Sequence, residues 1–477
     1  MDPASHWPPV YDEAYLPDPQ QRYWCPRRET MGPSEREAVV LRRLQAITRW
    51  AWERSAFYRE KWTAAGVHPD HLRRIEDLQR FPVVTKAELR REQAEHPPFG
   101  RYLCVERAGV VRIHGTSGTT GKPTVFMIGR DDWRRIANAH ARVMWGMGLR
   151  PTDTIFIASF FSLYVGSWGA LAGAERLRAT CFPFGAGLPG QTLAALRWLL
   201  DVRPNAFYGT PSYALHLADV AAGEHVDPRD FGFRIMFFSG EPGAGVPATK
   251  RQIEQTFGAA CVDSGSMAEM TPWMSNAECE FRHGMHLWQD IVYCEVCDPQ
   301  RFQPVPFGQE GTPVYTHLER TSQPMIRLVS DDLTRWVNDP CECGRTYPRL
   351  PRGIYGRLDD MCIVRGANIY PSAIEDVLRT IEGFGGEFQM VITRDRAMDE
   401  LVVRVEYSEA CAHEASVAPG VLPALAERVV TRLRSVIGVR PIVRLEPPGA
   451  LPRTEFKARR VTDNRALYDE SVQSARK

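Results

Sequence analysis

One short stretch of the sequence concentrates the residue types that hold phosphate, His114-Gly-Thr-Ser-Gly-Thr-Thr-Gly-Lys-Pro123. Glycines let the backbone approach an anion closely, hydroxyls and amides can surround it, and Lys122 adds positive charge. The spacing differs from a Walker A loop, because five residues separate Gly115 from Gly121 and Pro123 replaces the hydroxyl that would bind magnesium. The stretch predicts a phosphate-binding loop of another type, with a flexible turn as the alternative.

Four residues further along the chain have the chemistry of a metal site. They are Cys279, His286, Cys341 and Cys343. Three thiolates and one imidazole form a closed tetrahedral zinc set that leaves no position for water, so we expect a structural role. His283 is a competing ligand, and four scattered buried residues are the alternative. Cys294 and Cys297 lie three apart on a predicted strand, face opposite sides and are predicted to pack as small apolar groups.

Alternating short apolar runs and helical patterns must position these residues. Strands are predicted at Val110–Ile113, Thr154–Ala158, Ala179–Phe182, Ala206–Tyr208 and Ile235–Phe238. Helices are predicted at Asp131–Met147, Gln191–Val202, Ser212–Ala222 and Val246–Phe257. This alternation predicts an α/β fold with a largely parallel sheet. Before it, residues 1–105 are mostly helical, and Ser34-Glu35-Arg36-Glu37 predicts a capping box that opens a helix running to about Ala65.

The second half of the chain changes pattern twice. After Gly265 it becomes β-rich, with strands predicted at Val292–Val296, Gly311–His317 and Met325–Val329. The last part predicts a small α+β domain, residues 359–477, following a large domain of residues 1–358. Its predicted elements are Ser372–Ile381 and Val421–Ile437 as helices, and Phe388–Thr393, Leu401–Tyr407 and Ile442–Leu445 as strands.

Composition excludes several classes of protein. Among 477 residues, 59 Lys and Arg balance 58 Asp and Glu, and 44% are apolar, which argues against disorder, a coiled coil or a broadly cationic nucleic-acid binder. The longest uncharged run, Thr154–Ala174, divides into a strand-like part and a Gly-rich part, so we expect no membrane span. Eleven cysteines without a signal-like N-terminus predict a reducing, cytoplasmic location.

Eight separated motifs together resemble the adenylate-forming superfamily of acyl-CoA synthetases and adenylation domains, and more closely its phenylacetate–CoA ligase branch. The resemblance covers roughly Phe57 to Arg465. In order, the motifs are Thr116–Lys122, Tyr208-Gly-Thr-Pro-Ser-Tyr213, Ser239-Gly-Glu-Pro242, Ala268-Glu269, Asp332-Leu-Thr-Arg335, Gly356-Arg-Leu-Asp-Asp360, Arg365–Pro371 and Pro452-Arg-Thr-Glu-Phe-Lys457. The resemblance implies ATP, Mg²⁺ and CoA as cofactors, and a small mobile domain that carries a catalytic lysine.

The chemistry that the resemblance implies has two steps. A carboxylate attacks the α-phosphate of ATP to give an acyl adenylate and pyrophosphate, and a thiol then displaces AMP. Both steps build negative charge that fixed dipoles and cations must stabilise. The implied phosphate-binding residues are Thr116, Ser117, Gly118, Thr119, Thr120, Gly121 and Lys122, with Thr120 also catalytic. The implied nucleotide-binding segment is Ser239, Gly240, Glu241 and Pro242.

The resemblance also assigns single residues. Glu269 would bind magnesium, Asp332 rather than the adjacent Asp331 would bind ribose, and Arg357 would contact ribose or phosphate. Lys457 would meet the carboxylate and the α-phosphate, and Asp359 would be the hinge. For each of these the alternative is an ordinary surface charge. The sequence departs from the branch before Glu269, where Gly265 and Ser266 stand in place of the common Tyr-Gly.

Aromatic residues near a predicted strand end favour a flat aromatic acid, aryl or arylacetic, as the substrate. The candidate pocket residues are Phe161, Tyr164, Trp168, Tyr208, Met270 and Trp273. Ordinary core packing is the alternative for any one of them. Two further functions remain open: transfer of the adenylate to a carrier-protein thiol or an amine, and a catalytically inactive ligand-binding or interaction protein.

Overall fold

The computed structural model describes residues 6–116, 124–185, 190–358, 361–365, 367–395, 398–452 and 460–464. The N-terminal part is helical as predicted, with α1 Pro26–Glu29, α2 Pro33–Arg54, α3 Ala56–Ala64 and α4 Lys86–Glu95. The predicted capping box is wrong, because α2 begins at Pro33 with Gly32 as its N-cap. Proline suits a first helical position, so the helix starts before Ser34. The predicted long helix ends at Arg54, since the Ser55 side chain caps α3 instead.

A five-stranded parallel sheet forms the centre of the large domain, and this confirms the predicted fold class. Its strands are β3 Thr154–Ile157, β4 Thr180–Phe182, β5 Ala206–Gly209, β6 Ile235–Phe238 and β7 Ala260–Asp263, in the order β4-β3-β5-β6-β7. The helices are α5 Arg130–Met147, α6 Val165–Leu177, α7 Gln191–Val202, α8 Pro211–Gly223 and α9 Pro247–Phe257. α6 has no counterpart among the predicted helices, because the glycines within it interrupt the apolar periodicity.

The predicted strand at residues 110–113 is real but does not join this sheet. It is part of β1 Val110–Gly115, which pairs antiparallel with β2 Val125–Gly129. The chain reverses between the two strands, so the predicted phosphate loop connects the arms of a hairpin.

Both faces of the parallel sheet are buried, and successive residues alternate between two cores as a strand requires. Ile155 and Tyr208 face the larger core, which also holds the N-terminal helices and α5. Phe156 and Phe207 face a second core built with α7, α8 and α9. Tyr208 therefore points toward the side of the sheet on which α5 and α6 pack.

The region after the sheet is β-rich, as predicted. Its strands are β8 Asn276–Ala277, β9 Met285–Leu287, β10 Val292–Cys297, β11 Glu310–His317, β12 Leu328–Val329, β13 Asp332–Arg335, β14 Arg349–Leu350 and β15 Gly356–Arg357. One sheet has the order β10-β11-β13-β15, with β12 paired to β11, and another has the order β14-β9-β8.

The C-terminal part has a core of its own, formed from residues between 362 and 461. Its elements are β16 Cys362–Val364, β17 Ala367–Ile369, α10 Pro371–Leu378, β18 Phe384–Asp395, β19 Met398–Tyr407, α11 Glu409–Val417, α12 Val421–Ile437, β20 Ile442–Glu446 and β21 Val461–Asp463. β18 and β19 pair antiparallel, while β20 and β21 add parallel strands at either edge. Within the described ranges, no helix combines the length and apolarity needed to cross a membrane.

Candidate active site

Polar groups converge where three parallel strands end. Tyr208 lies near the C-terminal end of β5, Ser239 directly follows β6, and Tyr164 lies between β3 and α6. The Tyr208 hydroxyl lies 2.8 Å from the Ser239 hydroxyl, and Tyr164 hydrogen-bonds with both. Burial raises the pKa of Tyr164 and Tyr208, so both phenols stay protonated at neutral pH. Open α/β sheets bind ligands at this edge.

The base of the predicted phosphate loop lies beside this edge. The Thr116 and Thr124 backbones continue the hairpin ladder at 3.0 Å, and the Thr116 hydroxyl accepts a hydrogen bond from the Thr124 amide. The Gly115 amide donates to the Leu163 carbonyl at 2.9 Å, next to Tyr164. The other predicted phosphate-binding residues fall outside the described ones: Ser117, Gly118, Thr119, Thr120, Gly121 and Lys122.

Glu269 is a buried carboxylate whose described contacts leave one oxygen able to accept a further ligand. It lies in a 3₁₀ turn, is 2% exposed, and its Oε1 has no hydrogen-bond partner among the described residues. Arg320 donates to the Glu269 carbonyl at 2.8 Å and to the Met127 carbonyl of β2 at 2.7 Å. Burial lowers the pKa of Arg320 to about 10, against the attraction of Asp132 and Glu269. Arg320 thus joins the turn to the phosphate-loop hairpin, and a free carboxylate oxygen suits Mg²⁺.

The two predicted ribose contacts are neighbours. Asp332 on β13 and Arg357 on β15 are register partners, and Arg357 Nη1 lies 3.5 Å from Asp332 Oδ1. Asp331 instead forms the preceding bend, with φ at 62° and its carbonyl accepting from the Leu358 amide at 2.6 Å. Tertiary structure therefore gives the two adjacent acids different positions: the Asp332 carboxylate faces Arg357, whereas Asp331 forms the bend before β13.

The Ser239–Pro242 segment is anchored on a helix start. Gly240 has a φ of 97°, a conformation that favours glycine, and it turns the chain after Ser239. The Glu241 carboxylate accepts a hydrogen bond from the Ser212 amide at 2.6 Å, in the first turn of α8. Burial raises the pKa of Glu241, and the bond from Ser212 opposes that rise. Pro242 then begins a short 3₁₀ turn.

The C-terminal part contacts the region of the parallel sheet. Arg460, three residues beyond Lys457, forms a half-buried ion pair with Glu387. Burial acts to lower the pKa of Arg460, but Glu387, Glu375 and, more weakly, Glu241 raise it above its ordinary value. At the C-terminal end of α10, the Arg379 guanidinium donates to the Gln252 amide oxygen of α9 at 3.0 Å, so the C-terminal part contacts the helices that cover the parallel sheet. Lys457 itself and the predicted hinge residue Asp359 fall outside the described residues.

The six predicted pocket residues divide into two groups. Tyr208 and Trp273 pack with ring centroids 5.5 Å apart, Met270 is buried in the same core, and Tyr164 joins this group through its hydrogen bond with Tyr208. Phe161 and Trp168 form a separate edge-to-face pair at 5.0 Å. The Trp168 indole donates to the Ser162 carbonyl, and the Arg112 guanidinium lies 5.1 Å from its ring centroid.

Sequence reasoning missed His140, which packs against the first group. It is fully buried on α5, with its ring centroid 5.3 Å from that of Trp273. Its Nδ1 lies 2.9 Å from the Gly169 carbonyl on α6. A single histidine on an apolar helix face carries no sequence signal of its own, so only the packing of α5 on α6 reveals this neighbour.

The predicted metal ligands do come together. The ligand atoms of Cys279, His286, Cys341 and Cys343 all lie within 4.8 Å of one another and are buried. Cys279 Sγ and Cys341 Sγ are 3.8 Å apart, far longer than a disulfide but close to the edge of a zinc tetrahedron, ~3.8 Å for ~2.3 Å bonds. The described cysteines are all free thiols.

The competing sulfur and nitrogen ligands lie elsewhere. His283 is exposed, and its Nδ1 lies 3.4 Å from a carboxylate oxygen of Glu342. Cys294 belongs to the larger core, whereas Cys297 packs with Val314 and Val329 in a small separate cluster. Burial raises the pKa of both thiols, that of Cys297 to about 12. This confirms that the two cysteines face opposite sides of their strand.

Comparison with known proteins adds two kinds of similarity. Residues 366–465 match the family model of the AMP-binding enzyme C-terminal domain. The phenylacetate-coenzyme A ligase of Thermus thermophilus is 35% identical over 451 residues, spanning 92% of this chain and 99% of the relative. That of Escherichia coli K12 is 34% identical over 444 residues, spanning 92% and 97%.

Solved structures of 2-hydroxyisobutyryl-CoA ligase are also similar. In its postadenylation state with 2-HIB-AMP, that protein is 55% identical, each chain is covered to 98%, and the TM-score is 0.93. In its thioesterification state with 2-HIB-AMP and CoA, the identity is 56%, the coverage 99% of this chain and 98% of that one, and the TM-score 0.74.

Proposed function

The chain belongs to the phenylacetate-CoA ligase family of AMP-forming acyl-CoA ligases, and on that premise we propose that its acid substrate is a short, branched 2-hydroxy acid. The reaction has two steps: ATP and a carboxylate give acyl-AMP and pyrophosphate, and the CoA thiol then displaces AMP. Family membership confirms the predicted activity and CoA as the acceptor. The observation that carries the choice of acid is the 55% identity, across both domains, to a ligase captured with 2-HIB-AMP.

An arylacetic acid is the second candidate. The curated relatives at 33–35% identity are phenylacetate-coenzyme A ligases. The Tyr208 and Trp273 rings, which pack against each other at a tilt of 30°, offer the flat surfaces that an aromatic acid would need. The predicted aromatic substrate therefore stays a candidate.

The described residues support a division of labour at the sheet edge. Thr116 leads into the loop that would bind the β- and γ-phosphates. Glu269 would hold Mg²⁺, which would neutralise phosphate charge when bound. Asp332 and Arg357 would contact ribose and the neighbouring phosphate, and Lys457 would bring positive charge to the carboxylate.

A change in orientation of the small domain fits the two structural comparisons. Identity and coverage are nearly equal in the postadenylation and thioesterification states of the same ligase, yet the TM-score is 0.93 for one and 0.74 for the other. Because the identities are nearly equal, a different orientation of the small domain would account for the difference in TM-score. The higher score for the postadenylation state supports such an arrangement in this chain, and with it a hinge at the segment that contains Asp359.

The four clustered ligands would hold a structural zinc ion. Cys279 and His286 are separated in the sequence from Cys341 and Cys343. A bound ion would therefore link two distant segments of the chain. Next to the cluster, the Arg345 amide donates to Cys343 Sγ and the Arg345 guanidinium pairs with Glu29. Metal binding there would stabilise the fold around the N-terminal segment rather than act on the substrate.

A panel of acids tests the proposed substrate. Pyrophosphate release would be measured with ATP, Mg²⁺ and each of 2-hydroxyisobutyrate, lactate, phenylacetate and benzoate, and CoA would then be added to the responding mixtures. We expect the highest kcat/KM with 2-hydroxyisobutyrate and a thioester product that requires CoA. A higher kcat/KM for phenylacetate would favour the second candidate instead.

A further inference from the structure

Two ring nitrogen atoms near the predicted acyl pocket are buried and, within the part of the chain that the structure describes, lack a hydrogen-bond partner. His140 Nε2 and Trp273 Nε1 each have no hydrogen-bond partner among the described residues. The two side chains are 0% and 4% exposed, and their rings are neighbours. Burying a polar atom without a hydrogen-bond partner is unfavourable, so two such atoms on neighbouring rings indicate that a bound polar group pairs with them.

The hydrogen-bonding character of His140 Nε2 follows from its other nitrogen. Nδ1 lies 2.9 Å from the Gly169 carbonyl oxygen, which can only accept, so Nδ1 must carry the proton. Burial lowers the pKa of His140 to about 4, and the ring is therefore neutral at pH 7. Nε2 is left with a lone pair and needs a donor.

The indole of Trp273 has the opposite need. An indole N–H can only donate, so Nε1 requires an acceptor. Both side chains press on Gly169, where an added Cβ would come within 2.6 Å of His140 Cε1 and 2.7 Å of Trp273 Nε1. The lack of a side chain at Gly169 is what allows the Cε1 edge of the His140 ring, next to Nε2, and the Trp273 indole nitrogen to lie against the same point of α6.

This pair is also next to the residues that would hold the acyl group. The Trp273 ring packs against the Tyr208 ring near the end of β5, tilted by 30°, and the Tyr208 hydroxyl hydrogen-bonds with Ser239. Trp273 follows Glu269 by four residues, in consecutive 3₁₀ turns. A small group bound beside Tyr208 would therefore lie next to the Trp273 ring, whose other neighbour is the His140 ring.

We infer that His140 and Trp273 together recognise the 2-hydroxyl group of the acid. A hydroxyl is the smallest group that both donates and accepts, so it would donate to His140 Nε2 and accept from Trp273 Nε1. The inference rests on the proposed function and names the residues that select its substrate. A methyl group in the same place would leave both atoms unpaired, and a site that is built to bond a hydroxyl rejects the analogue that lacks it strongly.

Matched acids test this directly. 2-Hydroxyisobutyrate and 2,2-dimethylpropanoate differ only by hydroxyl against methyl, and mandelate and phenylacetate form a second pair that differs by the hydroxyl. The readout is the ratio of kcat/KM for pyrophosphate release within each pair. For the unaltered protein we expect the hydroxy acid of the better-accepted pair to be favoured by at least ~10²-fold.

Three variants assign the effect to the two residues. Trp273→Phe keeps the ring and removes the donor, and His140→Leu removes the acceptor, so each should lower the ratio by about 10-fold. His140→Gln keeps an amide donor for Gly169 and an acceptor for the hydroxyl, and should restore part of the preference. Trp336→Phe is the control, since that indole donates to the Val305 carbonyl far from the site, and its ratio should not change.

The outcomes separate the inference from the proposed function. Two results would overturn only the assignment of hydroxyl recognition to His140 and Trp273. One is turnover by the unaltered protein with a kcat/KM ratio near one within each pair of acids. The other is an unchanged ratio in folded Trp273→Phe and His140→Leu. Absence of pyrophosphate release with all four acids would overturn the proposed substrate class and that assignment with it. A variant that does not fold leaves the ratio of the unaltered protein and of His140→Gln to decide.

Discussion

Lowering the pH from 7 to 5 should destabilise the protein through His140 by about 2 kcal/mol. Burial lowers the pKa of His140 to about 4, whereas an exposed histidine has a pKa of ~6.5. Between these values the unfolded chain binds a proton that the folded chain does not, so the contribution is present above pH ~6.5 and lost as the pH falls toward 4. pH 5 lies about 1.5 units below the pKa of histidine in the unfolded chain. Each pH unit in this range lowers the free energy of unfolding by about 1.4 kcal/mol.

The measurement must isolate one residue, because other buried groups titrate in the same range. Burial also lowers the pKa of His114 to about 4, while the buried acids Asp263 and Glu295 have raised pKa values and act in the opposite direction. The free energy of unfolding would therefore be measured by urea denaturation at pH 7 and pH 5 for the unaltered protein and for His140→Gln.

The quantity of interest is the difference between the two proteins in their loss of stability. His140→Gln removes the titrating ring but keeps a polar side chain, so its loss should be smaller by about 2 kcal/mol. His225→Gln is the control, because His225 is exposed and its replacement should leave the loss unchanged. Equal losses for the unaltered protein and for His140→Gln would show that His140 is not held neutral by burial.

Three further predictions concern the catalytic lysine, the metal and the hinge. Lys457→Ala should lower the rate of adenylation by at least ~10²-fold, because it removes positive charge where the carboxylate meets the α-phosphate. Thioester formation from supplied acyl adenylate should survive, and equal losses in both half-reactions would contradict the role of Lys457. Zinc should copurify at about one equivalent per chain, and fully active protein without zinc on elemental analysis would refute the site. Cys343→Ser should lower the unfolding midpoint more than it lowers the activity per folded molecule. Asp359→Pro should retain pyrophosphate release but lose most thioester formation, since proline fixes φ, and unchanged thioester formation in folded protein would exclude the hinge role.

Local patterns in the sequence were enough to place most of the elements. Helices Gln191–Val202 and Val421–Ile437 have the predicted bounds, because their apolar periodicity is strong and long. Strand and helix alternation also predicted the parallel sheet. The pattern could not show that Val110–Gly115 leaves that sheet for a hairpin, since a strand's partner depends on where the chain returns.

Motif order determined the family and most of the candidate site, and paired cysteines with a histidine determined the metal cluster. These features are carried by residue types at fixed spacing, which a sequence displays directly. The division of the aromatic residues into two groups, the joining of Glu269 to β2 by Arg320 and the meeting of His140 with Trp273 are different in kind. They depend on how α5, α6 and the β-rich region pack on one sheet face, so residues far apart in the chain become neighbours only in the folded structure.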